Sequence, residues 1–297
     1  LLLYNYKYYT GDNIKVHYEC APCFLRQARE AMDLITDDDD LKVSLMEDVF
    51  ELLSKEYYVG ANSNYLGSKI HRLIKTKTNS FDPYKTQKVL SNEMALEFLP
   101  EAKKVLDGSL ESYVKISIIG NMIDFGAFQL DEDIKSLMEN ALNNDLKIND
   151  VDKLEDALKK YDNVLYLVDN TGEIVFDKLL LEKIKEYDVN ITLAVKEKPI
   201  VNDACMEDAI EVGLDEYADI VSTGEDTVGL VYCELSPEFK EIFDNSDFII
   251  SKGLGNFEGL TEMDLFNKDV FYLACAKCPA TAKMINVCVN DMFLLKN

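Results

Sequence analysis

The run Asp169-Asn170-Thr171-Gly172-Glu173 puts a carboxylate and an amide where the apolar stretch NVLYLV ends and the helical pattern DKLLLEKIKEY is about to begin. Asp169, Asn170 and the more distant Asp203 are hard oxygen donors, suited to Mg²⁺ or Mn²⁺ rather than to a thiolate metal. Lys252 and Lys277 are compact cations suited to a phosphate. Glycines 172, 253 and 255 let backbone N–H groups approach an anion at a helix N-terminus. The alternative for the opening run is a strand-to-helix turn in which Asp169 or Thr171 merely caps the helix.

The elements that must position these residues favour a site. Short β-rich runs occupy 163–168, 190–195, 218–222, 247–251 and 269–275, and helical segments separate several of them. That alternation predicts a doubly wound, mostly parallel Rossmann-like α/β sheet. In such sheets ligands bind outside the carboxyl ends of the strands. Asp169, Asn170 and Glu173 follow the first strand, Lys196, Asn202 and Asp203 the second, and Thr223, Glu225 and Asp226 the third. Lys252 and the stretch GLGNFEG follow the fourth, and Lys277 the fifth. Apolar residues at three- and four-residue spacing from Cys20 to about Gly126 predict an all-helical N-terminal region over 16–126. The α/β domain then covers 127–297, with a soft boundary between 127 and 162, since no Gly/Pro/Ser-rich linker marks one. Residues 1–15 are expected to be an extension or tag remnant.

Composition narrows the function. With 55 acidic against 31 basic residues, the formal charge is −24, which opposes nucleic-acid binding. An anionic substrate therefore needs a local cation. No stretch approaches the roughly 20 apolar residues of a membrane span, and seven cysteines without a secretory leader argue against a disulfide framework. A soluble, cytoplasmic protein without a membrane partner is expected; oligomeric state is not encoded legibly. The acidic run 37–40 reads as a solvated loop and helix N-terminus, since it lacks the alternation and glycine of a calcium loop. There is no P-loop, and GLGNFEG fits a dinucleotide fingerprint only loosely.

Several blocks, in order, resemble the metal-dependent damage-control phosphatases, long known as a domain of unknown function. They are YECAPCFLRQA (18–28), GNMIDFG (120–126), DNTGEIVFD (169–177), KEKPIVNDA (196–204), SKGLGNFEGL (251–260) and AKCP (276–279). The first is similar to the opening CxxC motif of the archaeal and bacterial branch. The likeness runs from about Val16 to Val289, with Thr171 and Leu254 departing from the commoner residues at those places. It implies a divalent metal (Mn²⁺, Mg²⁺, Co²⁺ or Ni²⁺) held by Asp169, Asn170 and Asp203. It also implies phosphate contacts from Asn121, Glu173, Lys252 and Lys277, with Asp169, Asn170, Asp203 and Lys252 as the catalytic set. The expected reaction is hydrolysis of a small phosphorylated metabolite, either a sugar phosphate or a damaged or surplus cofactor precursor. Either a metal-activated water or Asp169 attacks phosphorus; water is favoured because a ligating carboxylate is a poorer nucleophile. Asp124 would orient Asn121 or cap the end of its helix.

Two other functions stay in view. One is S-adenosylmethionine-dependent carboxyl methyl transfer, disfavoured because the turn after the first strand carries a single glycine and two metal ligands. The other is a non-catalytic metal- or thiol-responsive binding protein. Cys20-x-x-Cys23 and Cys275-x-x-Cys278 would make a four-thiolate zinc site only if the fold joined them, and Cys275 lies inside an expected strand. Otherwise these cysteines pack, or Cys20 and Cys23 act in redox chemistry. His17 and His71 are not expected to be catalytic.

Overall fold

A computed structural model describes residues 15–122, 138, 142–265 and 268–297, the side chains of 121 and 122 excepted. Five helices come first: α1 (Cys20–Ile35), α2 (Asp39–Glu56), α3 (Ser63–Thr78), α4 (Lys85–Lys104) and α5 (Leu110–Met122). Local chemistry starts and stops them. Asp38 caps α2, its side chain accepting from the N–H groups of Asp40 and Leu41, so the acidic run is a helix start as expected. Asn62 caps α3, which ends where Asn79 enters the left-handed region at φ 52°.

The remainder alternates strands and helices around a seven-stranded sheet. The strands are β1 (Ile148–Asn149), β2 (Asn163–Leu167), β3 (Asn190–Val195), β4 (Asp219–Ser222), β5 (Phe248–Lys252), β6 (Asp269–Cys275) and β7 (Met292–Lys296). The helices between them are α6 (Val151–Lys160), α7 (Glu173–Ile184), α8 (Met206–Glu211), α9 (Pro237–Asn245), α10 (Gly253–Thr261) and α11 (Pro279–Met284). Spatial order is β1-β7-β6-β5-β2-β3-β4. Every neighbouring pair is parallel except β6–β7. The five expected strands are all present. The sequence pattern does not announce β1 or β7: β1 is two residues long, and β7 (MFLLK) is a short apolar run without alternation.

The chain builds outward from β2 through β3 to β4, then returns to the other side of β2 with β5. The β2–β5 boundary is thus the topological switch point, and its carboxyl end is where a crevice is expected. Both faces of the sheet are covered. Val164 and Tyr166 of β2 pack with Phe248 and Ile250 of β5 in one core, while Leu165 and Leu167 point into the other. The first core also takes in Ala95 of α4 and Val114, Ile116 and Ile118 of α5. Helices α1–α3 have their own core around Phe24, Met32, Val49 and Ile70. Two of the five N-terminal helices therefore pack as a layer of the sheet.

Candidate active site

At the carboxyl end of β2 the chain does not enter α7 directly. Residues 169–171 pair antiparallel with 202–204 after β3: Thr171 N–H donates to Asn202 O (3.0 Å), and Ala204 N–H donates to Asp169 O (2.9 Å). Two main-chain hydrogen bonds therefore set Asp169 and Asn170 beside Asp203. Val201, just ahead, is held at φ 45°, a conformation a β-branched residue rarely adopts.

The turn then reverses at Gly172, φ 78°, and α7 begins. No side chain of the turn caps that helix, so the capping alternative for Asp169 or Thr171 does not hold. The hydroxyl of Thr171 donates to Asn202 O. The N–H of Gly172 donates instead to Oδ1 of Asn92 on α4 (2.7 Å), a partner 80 residues away that no local pattern announces.

Asn170 is fixed at its nitrogen end. Its Nδ2 donates to Asp169 Oδ2 (2.8 Å) and to Glu173 Oε2 (3.4 Å), and its main-chain N–H also meets Glu173 Oε2 (3.3 Å). With the NH₂ group between two carboxylates, the amide oxygen is the end left for a cation. On the facing side a Cβ at Gly253, φ 76°, would overlap the Asp169 carboxylate. Only glycine allows β5 and α10 to approach the carboxylate this closely.

Asp203 is 5% exposed. Burial pushes its carboxyl up to about 7, with Glu225 and Glu173 adding to the rise and Lys196 and Lys88 opposing it. Lys196 is tied to Glu225 (3.3 Å) and to the carbonyl of Gly229. Lys88 of α4 is tied to Asp208 (2.6 Å). Lys196 is among the strand-end residues named from the sequence; Lys88 is not. Lys88 lies in a helix whose sequence gives no sign that it enters the interior.

Asp169, Asn170, Asp203 and Lys277 line one open cleft of about 190 Å³, walled by Gln27 of α1 and by Val201, Val228 and Leu254. Four expected site residues are thus brought together. Lys252 and Glu173 lie apart from the cleft. Lys252 is 0% exposed, and its three ammonium hydrogens go to Ser117 O (3.1 Å), Glu173 Oε1 (2.8 Å) and Asp177 Oδ1 (2.6 Å). Burial alone would lower its pKa, but Asp177 and Glu173 outweigh that and hold it above the ordinary lysine range. As placed, it has no donor left for a phosphate. Asn121 sits in the last turn of α5, but its side chain lies outside the described residues, as does Asp124.

Comparison with known proteins identifies the family. The family model of the damage-control phosphatase ARMT1-like domain matches residues 16–293. The chain belongs to that family. It is 37% identical to a damage-control phosphatase of Pyrococcus horikoshii, over 96% of this chain and 99% of the relative. It is 32% identical to a damage-control phosphatase of Archaeoglobus fulgidus, over 94% and 98%. A Methanocaldococcus jannaschii protein described as uncharacterized is 40% identical over 97% of each. The crystal structure of a DUF89 family protein from P. horikoshii superposes with a TM-score of 0.90 at 37% identity, covering 96% of this chain and all of that one. This chain is therefore an enzyme, a phosphatase, with the α/β fold of its family.

The residues present suit the divalent metal that the family implies. The donor set is all oxygen: two carboxylates and one oriented amide. Around it the buried acids Glu173, Asp177, Asp203 and Glu225 outnumber the buried lysines 88, 196 and 252, and the rise at Asp203 comes first from burial, with Glu225 and Glu173 adding to it. Among the described residues no three His, Cys, Asp or Glu side chains converge as a metal-binding group; a three-donor set here would have to include the amide of Asn170. The cysteines form no four-thiolate site. Cys275 is buried in the sheet core, whereas Cys20, Cys23 and Cys278 are partly exposed, and all seven thiols are free.

The buried acid Asp177 had a sequence signal. It interrupts Ile174-Val175-Phe176 and Leu179-Leu180-Leu181, all of which are buried. A helix apolar on every side is enclosed, so an acid within it must be enclosed and partnered too.

Proposed function

We propose that this cleft hydrolyses the phosphomonoester of a small metabolite, a sugar phosphate or a damaged or surplus cofactor precursor, in a reaction that depends on a divalent metal. The supporting observation is the main-chain pairing that sets Asp169 and Asn170 against Asp203 at the switch point of the sheet, with Lys277 on the same cleft. Asp169, Asn170 and Asp203 would hold the metal, with Mn²⁺ or Mg²⁺ best matched to oxygen donors and Co²⁺ and Ni²⁺ as further candidates. When bound, it supplies positive charge to the phosphate oxygens and lowers the pKa of a water.

The remaining work falls to the chain. Lys277 meets the phosphate as a point charge and stabilises charge on the transferring group. The turns after β2 and β5 bring the N-termini of α7 and α10 to the same end of the sheet, favourable for an anion. Val201, Val228 and Leu254 exclude water from one side of the substrate, and the modest cleft volume favours a phosphate on a small carbon skeleton. Free thiols at all seven cysteines support residence in a reducing compartment, the cytoplasm.

The test is hydrolysis of p-nitrophenyl phosphate and of a panel of sugar phosphates, with and without Mn²⁺, Mg²⁺, Co²⁺ or Ni²⁺. Metal-stimulated phosphate release is expected, falling at least about a hundredfold in Asp169→Ala and Asp203→Asn. Metal-independent release, or release unchanged by both substitutions, overturns the metal reading.

A further inference from the structure

Beneath the cleft lies a continuous chain of buried polar contacts running from the core to Asn170. Asp177 Oδ1 accepts from Ser117 Oγ (2.7 Å), from Tyr166 OH (2.9 Å) and from Lys252 Nζ (2.6 Å). Lys252 then donates to Glu173 Oε1 (2.8 Å), and Glu173 Oε2 accepts from the amide nitrogen of Asn170. Ser117, Tyr166, Glu173, Asp177 and Lys252 are each buried to within 1% of completely. Close packing seals them in: a Cβ on Gly120 would stand 2.9 Å from Phe176 and 3.2 Å from the Glu173 backbone.

We propose that Glu173, held by Lys252, which Asp177 anchors in turn, is a positioning residue that acts with Asp169 Oδ2 (2.8 Å from the Asn170 amide nitrogen) to set which end of the Asn170 amide faces the metal, and that neither Glu173 nor Lys252 touches the substrate phosphate. This rests on the metal reading above and gives Glu173 and Lys252 a different task from the phosphate contacts implied by resemblance. The chemistry of the chain is directional. Lys252 offers only donors, and so does the NH₂ end of Asn170. The group between them must accept at both ends, which a carboxylate does and an amide cannot.

Glu173→Gln keeps the shape and removes one acceptor. If its oxygen faces Lys252, its NH₂ faces the NH₂ of Asn170, and only the bond to Asp169 Oδ2 (2.8 Å) then opposes turning the Asn170 amide over. A turned amide presents N–H rather than oxygen to a cation. The variant thus alters the metal donor set without removing a ligand, as outer partners of metal ligands generally do.

The experiment is Mn²⁺ binding without substrate, read by electron paramagnetic resonance of free Mn²⁺, on the full chain. Melting temperature serves as a check of folding. Glu173→Gln is expected to weaken Mn²⁺ at least about tenfold. The inhibition constant of inorganic phosphate at saturating Mn²⁺ should stay within about twofold. Adding Asn170→Asp to Glu173→Gln should restore Mn²⁺ binding. The new carboxylate accepts from the amide at 173 and shows oxygen to the metal whichever way it turns, and mere structural damage would not be rescued in this way. Wild-type Mn²⁺ binding left unchanged by Glu173→Gln, with phosphate inhibition weakened instead, overturns this inference alone. So does failure of the double variant to recover binding. If the wild-type chain binds no Mn²⁺, or if Asp203→Asn leaves its binding unchanged, the metal reading falls and takes this inference with it.

Discussion

Asp169 owes its position to a neighbour with no side chain. Gly253 sits at φ 76° with its α-carbon against the Asp169 carboxylate, so Gly253→Ala meets two penalties. The left-handed conformation costs about 1–2 kcal/mol for alanine, and the new methyl must displace the carboxylate. Urea unfolding should show a loss of at least about 1 kcal/mol, and Mn²⁺ titration a weaker site. A variant with wild-type stability and metal affinity would mean that the two turns can separate freely. At this scale the sequence is informative about residue type. Asp169, Asn170, Asp203 and Lys277 were all legible from their places after strands, since the ends of parallel strands are fixed by local pattern. Lys252 shows the limit. Its place at the end of β5 was legible, but its direction depends on Ser117 and Asp177, which lie 135 and 75 residues away.

At the scale of elements, α3 ties the helical layer to the strand-end loops. Asn64, Ser68, Arg72 and Lys75 recur at helical spacing along it, and each meets a different part of the cleft's surroundings. Asn64 donates to Gly255 O (2.8 Å), and Ser68 Oγ accepts from Val228 N–H (2.9 Å). Arg72 pairs with Asp226 and Glu234, and Lys75 donates to Pro199 O (2.7 Å). One polar stripe thus positions the loops after β3, β4 and β5. Arg72→Met would leave Glu234 without its cation and Asp226 with Lys75 alone (3.3 Å). Partial exposure of the cluster tempers the cost to about 1–3 kcal/mol. Denaturant midpoints should register that loss, together with a higher KM, because Val228 and Leu254 wall the cleft; unaltered kinetics would show that the stripe supports the fold alone. The sequence shows α3 as an amphipathic helix. It does not show that the polar side of that helix faces protein, because charged stripes are ordinarily solvated.

At the scale of the whole molecule, two electrostatic consequences follow from charge and burial. A net charge of −24 repels an anionic substrate, and salt screens that repulsion within about 10 Å at 0.1 M. Raising ionic strength from about 0.01 to 0.15 M should therefore lower KM for a phosphomonoester; a rise in KM would mean that the local field of Lys277 dominates. The second concerns acid stability. His71 is 3% exposed with no partner at Nε2, and burial, aided by Lys75, lowers its pKa from 6.5 to about 4. A histidine depressed in the fold is left neutral there, while the unfolded chain binds the proton below 6.5. Its contribution is complete above pH 6.5 and is lost as pH falls toward 4, by about 3 kcal/mol. Glu258 works in the opposite sense. Burial raises its carboxyl to about 7 against its bonds to Ser63 and Thr281, so stability from this group is present below pH 4.5 and is lost as pH rises through 7. Between pH 4.5 and 6.5 the two offset one another. Replacing His71 by Leu should remove that offset, so that unfolding free energy rises relative to the wild type's as pH falls from 6.5 to 4.5. A variant profile parallel to the wild type's would mean that His71 does not contribute.

Taken alone, the sequence determined the strand–helix alternation, the crevice at the strand ends and the oxygen character of the candidate donors. Each follows from periodicity or from residue type a few positions from a strand end, which are local properties. Only the tertiary structure decided that Asn92 rather than the turn itself satisfies the start of α7, and that α4 and α5 pack as a layer of the sheet. It alone also showed that Cys275 joins the core away from Cys20 and Cys23, and that Lys252 faces inward to Glu173 and Asp177. These outcomes depend on which distant groups meet in three dimensions. A buried donor must find an acceptor wherever the fold brings one, and the chain's local pattern carries no record of that partner.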